Sequence, residues 1–275
     1  MNPHARHPTS LRDLLLSFWR NRQLIVQLTK RDAVGRYKGS IMGLLWSFLN
    51  PIFMLAVYTF FFSVIFKSRW PGGSESKTEF ALILFAGLMI FNLFSECMNK
   101  APGLVILNVN YVKKIVFPLE ILPLINLGSA SFHMLMSLCV WLLFYIIFFG
   151  IPKASIFLLP VILLPFFIFT LGLSWFIASL GVYLRDLSQI VGLITTALMF
   201  LSPIFYPVEV LPVGMREIVR LNPLTFAVEQ ARNVMIWGGA IAWSKWAIFL
   251  LLSVTIAWLG YVWFQKTRRG FADVL

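Results

Sequence analysis

Long stretches of this chain carry no Asp, Glu, Lys or Arg, and the polar intervals between them are short. Six stand out, at residues 39–66, 80–95, 121–152, 154–184, 187–208 and 246–265. One such side chain in mid-bilayer costs roughly 2.5 to 3.5 kcal/mol on insertion scales, so charge-free stretches are strong markers of membrane crossing. All but residues 80–95 exceed the ~18 residues a crossing helix needs. The exception qualifies if Glu79 and Glu96 lie at its two ends, where a carboxylate reaches the headgroups. The pattern therefore predicts an all-α membrane protein with six transmembrane helices. Runs such as LAVYTFFFSVIF and LMSLCVWLLFYIIFF are apolar on every face, which excludes the alternating strands of a membrane β-barrel.

Composition agrees: 59% of residues are hydrophobic and 12% charged, with a mean hydropathy of +0.84, whereas soluble domains carry roughly 25% charged residues. The net charge of +12 sits in the intervals between spans. It reads as orientation rather than as a nucleic-acid-binding face. An inner N-terminus with six crossings puts 15 of the 23 basic residues in the cytoplasm, so both termini are expected there, and no removable signal peptide is evident. Cys97 and Cys139 have no metal-site or disulfide spacing and read as small buried apolar residues.

Three segments do not simply span. Ser10 and Asp13 match a capping box, and Leu11, Leu14, Leu15 and Phe18 follow at one-face helical spacing, with Arg12, Arg20 and Arg22 around them. This predicts an amphipathic interface helix within a cytoplasmic N-terminus, residues 1–38, serving as a membrane anchor or as something more. At residues 99–118, Pro102 and Gly103 break the chain. Asn108, Asn110, Tyr111, Lys113 and Lys114 follow in a short exposed element, either a docking surface or an ordinary positive-inside loop. Residues 207–242 are too apolar for a plain external loop. Asn222 and Pro223 start a helix, Gly238 ends the run, and VLPVGMREIVR precedes it. Two short helices result, re-entrant or lying on the outer leaflet.

The chemistry of catalysis is missing. There is no GxxxxGK[ST] phosphate cradle, no HExxH and no CxxC, so ATP hydrolysis and metal binding are not expected of this chain. His4 and His7 fall in the N-terminal segment, and His133 stands alone in span three with no intramembrane carboxylate evident beside it. A hydrogen bond to a neighbouring helix suits it better than proton transfer. Arg185 and Asp186 read as a local ion pair or helix-end charges. A proton- or sodium-driven carrier needs buried ionisable groups or broken helices at mid-bilayer. The energy for any transport must come from elsewhere.

Four blocks resemble the ABC-2 type permeases that export bacterial surface polysaccharides: KRDAVGRYKGSIMGLLWSFLNPIFMLAVYTFFF from Lys30, NVNYVKKIVFPLEILPL from Asn108, RDLSQIV from Arg185, and SPIFYPVEVLP with LNPLTFAVEQAR between Ser202 and Arg232. They lie in the family's order and cover nearly the whole chain, taken as a single transmembrane domain, residues 1–275. The resemblance implies a homodimer in the bacterial inner membrane, with a separate pair of nucleotide-binding subunits that hold ATP and Mg. It makes residues 99–118 the coupling segment on that ATPase, with Asn108, Asn110, Tyr111, Lys113 and Lys114 as contacts. The two short helices become an external gate, with Pro207, Asn222, Pro223, Glu229 and Arg232 as its residues.

The cargo in that family is a polysaccharide on an undecaprenyl pyrophosphate or related lipid. Sugars present hydroxyls and flat apolar faces that stack on aromatic rings. Trp46, Phe53, Tyr58, Phe62, Phe200, Phe205 and Tyr206 of spans one and five are the channel candidates, although lipid-facing rings and interfacial belts would use the same residues. Arg31, Arg36 and Lys38 are the pyrophosphate candidates, since guanidinium groups bind phosphates bidentately. Positive-inside anchoring predicts them equally. Two alternatives stay open: an ABC-2 permease for a drug or other lipid, and a membrane-embedded glycosyl or lipid transferase built on Glu96, Glu120 and His133.

Overall fold

The computed structural model describes residues 9–61, 70, 77–113 and 117–275. Phe62, Lys114, His4 and His7 lie outside the described residues. Within them the chain is helical, with no strand: α1 Leu11–Arg20, α2 Arg22–Gly35, α3 Trp46–Tyr58, α4 Lys77–Lys100, α5 Val109–Lys113, α6 Leu122–Phe149, α7 Leu159–Tyr183, α8 Leu187–Leu201, α9 Val213–Leu221, α10 Pro223–Arg232, α11 Trp243–Thr267 and α12 Phe271–Val274.

Among the described residues, five helical stretches are long and apolar enough to cross a membrane: Gly43–Phe61, Thr78–Gly103, Leu119–Phe149, Ala154–Tyr183 and Trp243–Val274. The fifth charge-free interval, residues 187–208, is not one long helix. Its helical part stops at Leu201 after 15 residues, about 22 Å at 1.5 Å per residue, short of the ~30 Å hydrocarbon core. The SPIFYP stretch that follows supplies two prolines and leaves the helix at Ser202, whose backbone is extended.

α4 is the axis of the bundle. In its apolar stretch 83% of the residues are buried, against 11% in the first span. Its interval, the least convincing in sequence, is the best packed in space. Glu79 falls in its first turn, while Glu96 sits one turn inside its end. α7 and α11 pack along their lengths through small residues. A Cβ on Gly172 would stand 2.6 Å from the Ala257 Cα, and one on Gly260 would land on the Gly172 carbonyl.

The N-terminal helix starts as the capping box predicts. Ser10 Oγ accepts from the Asp13 N–H at 3.1 Å and donates to Asp13 Oδ2 at 2.6 Å. Its apolar stripe is divided, however: Leu14 is buried and Phe18 stacks on Trp175 of α7, whereas Leu11 and Leu15 are exposed together with Leu16 and Trp19. The helix thus docks on the bundle and still presents an apolar flank, edged by Arg12 and Arg22. Cys97 is buried as expected, but Cys139 is exposed on the outer face of α6. Arg185 and Asp186 are exposed and are helix-end charges: Asp186 occupies the α8 N-cap without a side-chain capping bond.

Candidate functional site

Two cavities meet where α2, α4 and α6 converge. The larger, about 480 Å³, opens between the first three spans and carries Asn50 and Tyr58 of α3, Asn92, Ser95, Glu96 and Asn99 of α4, and His133 of α6. The smaller, about 410 Å³, lies between α2, the segment after α4, and the start of α6. Arg31, Asp32, Asn108, Tyr111 and Asn126 line it. Arg36 and Lys100 belong to both linings.

At their junction the Glu96 carboxylate gathers three donors. Arg36 Nη2 lies 2.5 Å from Oε1, Lys100 Nζ 3.2 Å from the same oxygen, and His133 Nδ1 2.9 Å from Oε2. Lys100 also reaches Asp32 Oδ2 at 3.1 Å, and Arg31 Nη2 donates to the Tyr111 hydroxyl at 3.2 Å. The Tyr37 ring stands edge-on to His133. Burial raises its phenol above the ordinary value against the opposing Arg36 charge, so Tyr37 remains neutral near pH 7. His133 is therefore not isolated: an intramembrane carboxylate lies beside it. Sequence spacing does not reveal the partnership, because the pair is 37 residues apart.

Of the pyrophosphate candidates, the structure brings Arg31 and Arg36 to the same cavity and leaves Lys38 exposed in the turn after α2. Of the coupling candidates, Asn108 and Tyr111 line that cavity too. Asn110 is exposed, and Lys113 closes α5. Leu107, just before them, is 84% exposed and gives the segment an apolar tip. Sequence reasoning does not single out Lys100, Asp32 or the α4 polar lane. The legible signal is Asn92, Ser95, Glu96, Asn99 and Lys100 at helical spacing on one flank of an otherwise apolar helix. Asn99 extends the lane to α8, where the Thr195 hydroxyl donates to its Oδ1 at 3.2 Å.

The aromatic candidates form separate groups. Trp46 and Phe53 are exposed on the first span, and Tyr58 lines the larger cavity. Phe200 stacks on Phe205 at 5.7 Å, and the Tyr206 hydroxyl donates to the Phe200 carbonyl. Two of the three transferase candidates, Glu96 and His133, come together. Glu96 is engaged by two cations, and Glu120 pairs with Arg268 elsewhere at 2.7 Å.

Beyond α8 the chain forms two short helices, α9 and α10. Asn222 caps α10 by accepting from the Leu224 N–H and donates to Ser202 Oγ at 2.9 Å. Pro223 takes the first helical turn, where its missing N–H costs nothing. Gly238 ends the run with a φ of 74°. Pro207 is buried. Arg232, 1% exposed, donates to the carbonyls of Ile83, Pro203 and Ile204 at 2.9, 2.5 and 2.6 Å and sits under the Trp70 ring. Burial pulls its pKa down to about 9, which leaves it charged at neutral pH. Burial, reinforced by Glu209, raises the Glu229 carboxyl against three opposing cations.

The profile of the ABC-2 type transporter family matches residues 23–236. The O-antigen export system permease protein RfbA of Klebsiella pneumoniae is 27% identical, covering 92% of this chain and 95% of its own length. The protein of the same name from Myxococcus xanthus is 25% identical over 94% and 98%. The polysialic acid transport protein KpsM of Escherichia coli is 24% identical over 82% and 86%.

Proposed function

We infer that this chain, which belongs to the ABC-2 type transporter family, is the permease subunit of an ATP-driven exporter of lipid-linked polysaccharide, of the O-antigen kind, in the bacterial inner membrane. The relatives named for O-antigen export and polysialic acid transport align over most of it, 82% to 94% of the chain, which supports that cargo class. The observation that carries the reading is the polar lane and cationic junction inside an otherwise apolar bundle. A lane of amides and hydroxyls meets sugar hydroxyls, and a guanidinium and an ammonium at its end meet phosphate.

In this reading the single domain crosses the membrane six times. α8 and the SPIFYP stretch make the fifth crossing together. In support, Arg232 ties Pro203 and Ile204 to Ile83, six residues from the far end of α4. Both termini then face the cytoplasm, and α9 and α10 form an external gate. Residues 99–118, with the exposed Leu107 and Asn110, dock on a separate nucleotide-binding pair. That pair binds ATP and Mg, and its closure drives the polymer outward in small steps. Two copies of this chain complete the passage, which accounts for the large apolar surface that the first span, with Trp46 and Phe53, presents.

Arg31 and Arg36, joined by Lys100, receive the pyrophosphate of the undecaprenyl-type anchor. The test is purification of the full chain from its own cells in mild detergent, followed by reconstitution with whatever co-purifies. A bound ATPase whose turnover moves lipid-linked polysaccharide into the vesicle lumen is the expected result. A chain that purifies with no ATPase, or whose complex moves a drug and no polysaccharide, overturns it.

A further inference from the structure

The junction holds more than a pair of phosphate-binding cations, because both already rest on a carboxylate. Arg36 and Lys100 converge on Glu96 Oε1, while His133 Nδ1 lies nearer to Oε2, at 2.9 Å, than to Oε1, at 3.2 Å. The carboxylate is thus shared between two cations on Oε1 and an imidazole that leans toward Oε2. Arg36 and Lys100 keep 42% and 34% of their side chains exposed, against 15% for Glu96, so the cations are reachable and their counter-ion is sheltered. Arg31, Arg36 and Lys100 face Asp32 and Glu96 here, and His133, Tyr37, Tyr58 and Tyr111 complete the titratable and charged groups lining the two cavities.

We propose that Arg36 and Lys100 form a binding site for a phosphate or diphosphate ester, and that Glu96, retained by His133, is the built-in competitor an incoming oxyanion must displace. The proposal rests on the polysaccharide-exporter reading for its cargo, but its chemistry is local. A monovalent carboxylate holds the two cations with one oxygen. A diphosphate offers several oxygens and more charge to the same pair, and a guanidinium matches them in a bidentate fork. Displacement also frees Lys100 from its link to Glu96, one turn of α4 away, and leaves Arg36, at the end of α2, bound to the ligand instead of to α4. Occupancy of the site is thereby converted into a change in how α2 and α4 are tied.

The test uses the full chain in lipid nanodiscs, titrated calorimetrically with farnesyl diphosphate and, in a parallel arm, with inorganic pyrophosphate. Removing the competitor by Glu96→Gln is expected to tighten farnesyl diphosphate binding about tenfold, within the usual range of coupling between sites. Asp32→Asn, a change at an exposed side chain, is expected to tighten it about threefold by releasing Lys100. Arg36→Gln with Lys100→Gln should abolish binding. Competition by inorganic pyrophosphate marks a site for the headgroup alone; no competition marks a site that needs the lipid tail as well. Unchanged or weaker binding in both Glu96→Gln and Asp32→Asn overturns the proposal. The export assay separates the two claims: tighter binding without polysaccharide export leaves the competitor standing and removes the cargo reading, and export with unaltered binding does the reverse.

Discussion

Glu120 and Arg268, 148 residues apart, meet at 2.7 Å and close a three-way joint. The Ser17 hydroxyl of α1 donates to the other carboxylate oxygen at 2.8 Å, and Arg268 also donates to the Phe117 carbonyl at 2.9 Å. Phe117 in turn stacks on Tyr111 of α5 at 4.3 Å between ring centres. The N-terminal helix, the short helix α5 and the end of α11 are therefore tied through one carboxylate. Removing one partner of a buried pair leaves an uncompensated charge and costs about 3–5 kcal/mol. Arg268→Ala is expected to destabilise the protein in detergent by that margin. Arg268→Lys, which keeps the charge but not the fork, should lose about half as much. Tryptophan-fluorescence melting curves of the two variants check the order.

Glu229 provides a pH-dependent counterpart outside the five long spans. Burial is the main cause that raises its carboxyl, from an ordinary 4.5. A carboxyl whose folded value is raised binds its proton more tightly when folded. Its contribution is present in full below the unfolded value and lost as pH rises through the folded one. Glu229→Gln, which never ionises, should therefore melt higher than the parent at pH 7.5 and together with it at pH 4. A difference of equal size at both values would contradict the assignment.

Arg232 staples α10 to two other stretches of chain, Ile83 of α4 and the adjacent Pro203 and Ile204, through three carbonyls, and Gly87 makes room for it: a Cβ at Gly87 would fall on the guanidinium. Lysine cannot present donors in that fork. Arg232→Lys and Arg232→Met are both expected to cost about 2–4 kcal/mol, since each leaves buried carbonyls unpaired. Gly87→Ala should be destabilising while Arg232 is in place. In the Arg232→Met background most of that cost should vanish, because the guanidinium that the new Cβ would strike is gone and only the 3.3 Å approach to Val228 Cγ1 remains. A double-mutant cycle on Gly87→Ala and Arg232→Met, read from urea or thermal unfolding, should then show strong non-additivity.

Much of this architecture is legible in the chain. Charge-free intervals give the long spans because the cost of a buried charge is large and local. The Ser10 cap, the Asn222–Pro223 start and the Gly238 stop are local backbone chemistry, and each is found where its residues stand. Two kinds of feature are not legible. Residues 187–208 carry no charge, but hydropathy does not register that two prolines end the helix near Leu201. Glu96 with His133 and Glu120 with Arg268 are pairs made by packing, and no periodicity links residues 37 or 148 positions apart. Arg31 and Arg36 are found for a charge reason that does not separate lipid anchoring from ligand binding; their shared cavity with Lys100 is a tertiary fact.

The pairing of α7 with α11 depends on the absence of side chains. Ser253, Ala257 and Gly260 form a small buried stripe on α11, and Gly172 of α7 lies against it. Small residues let helix backbones approach, which is how membrane helices gain packing without a hydrophobic drive between them. Overpacking such a contact costs typically about 1–3 kcal/mol, so Gly172→Ala and Gly260→Ala should each lower the melting temperature and the yield of monodisperse protein. The atoms met are backbone, the Ala257 Cα in one case and the Gly172 carbonyl in the other. Trimming the neighbour by Ala257→Gly therefore should not rescue Gly172→Ala, which it would if the clash were between side chains. Gly192 of α8 serves as the control. An added Cβ there meets only the Asn99 side chain, at 3.9 Å, and Gly192→Ala should be neutral or stabilising by up to about 1 kcal/mol through helix propensity.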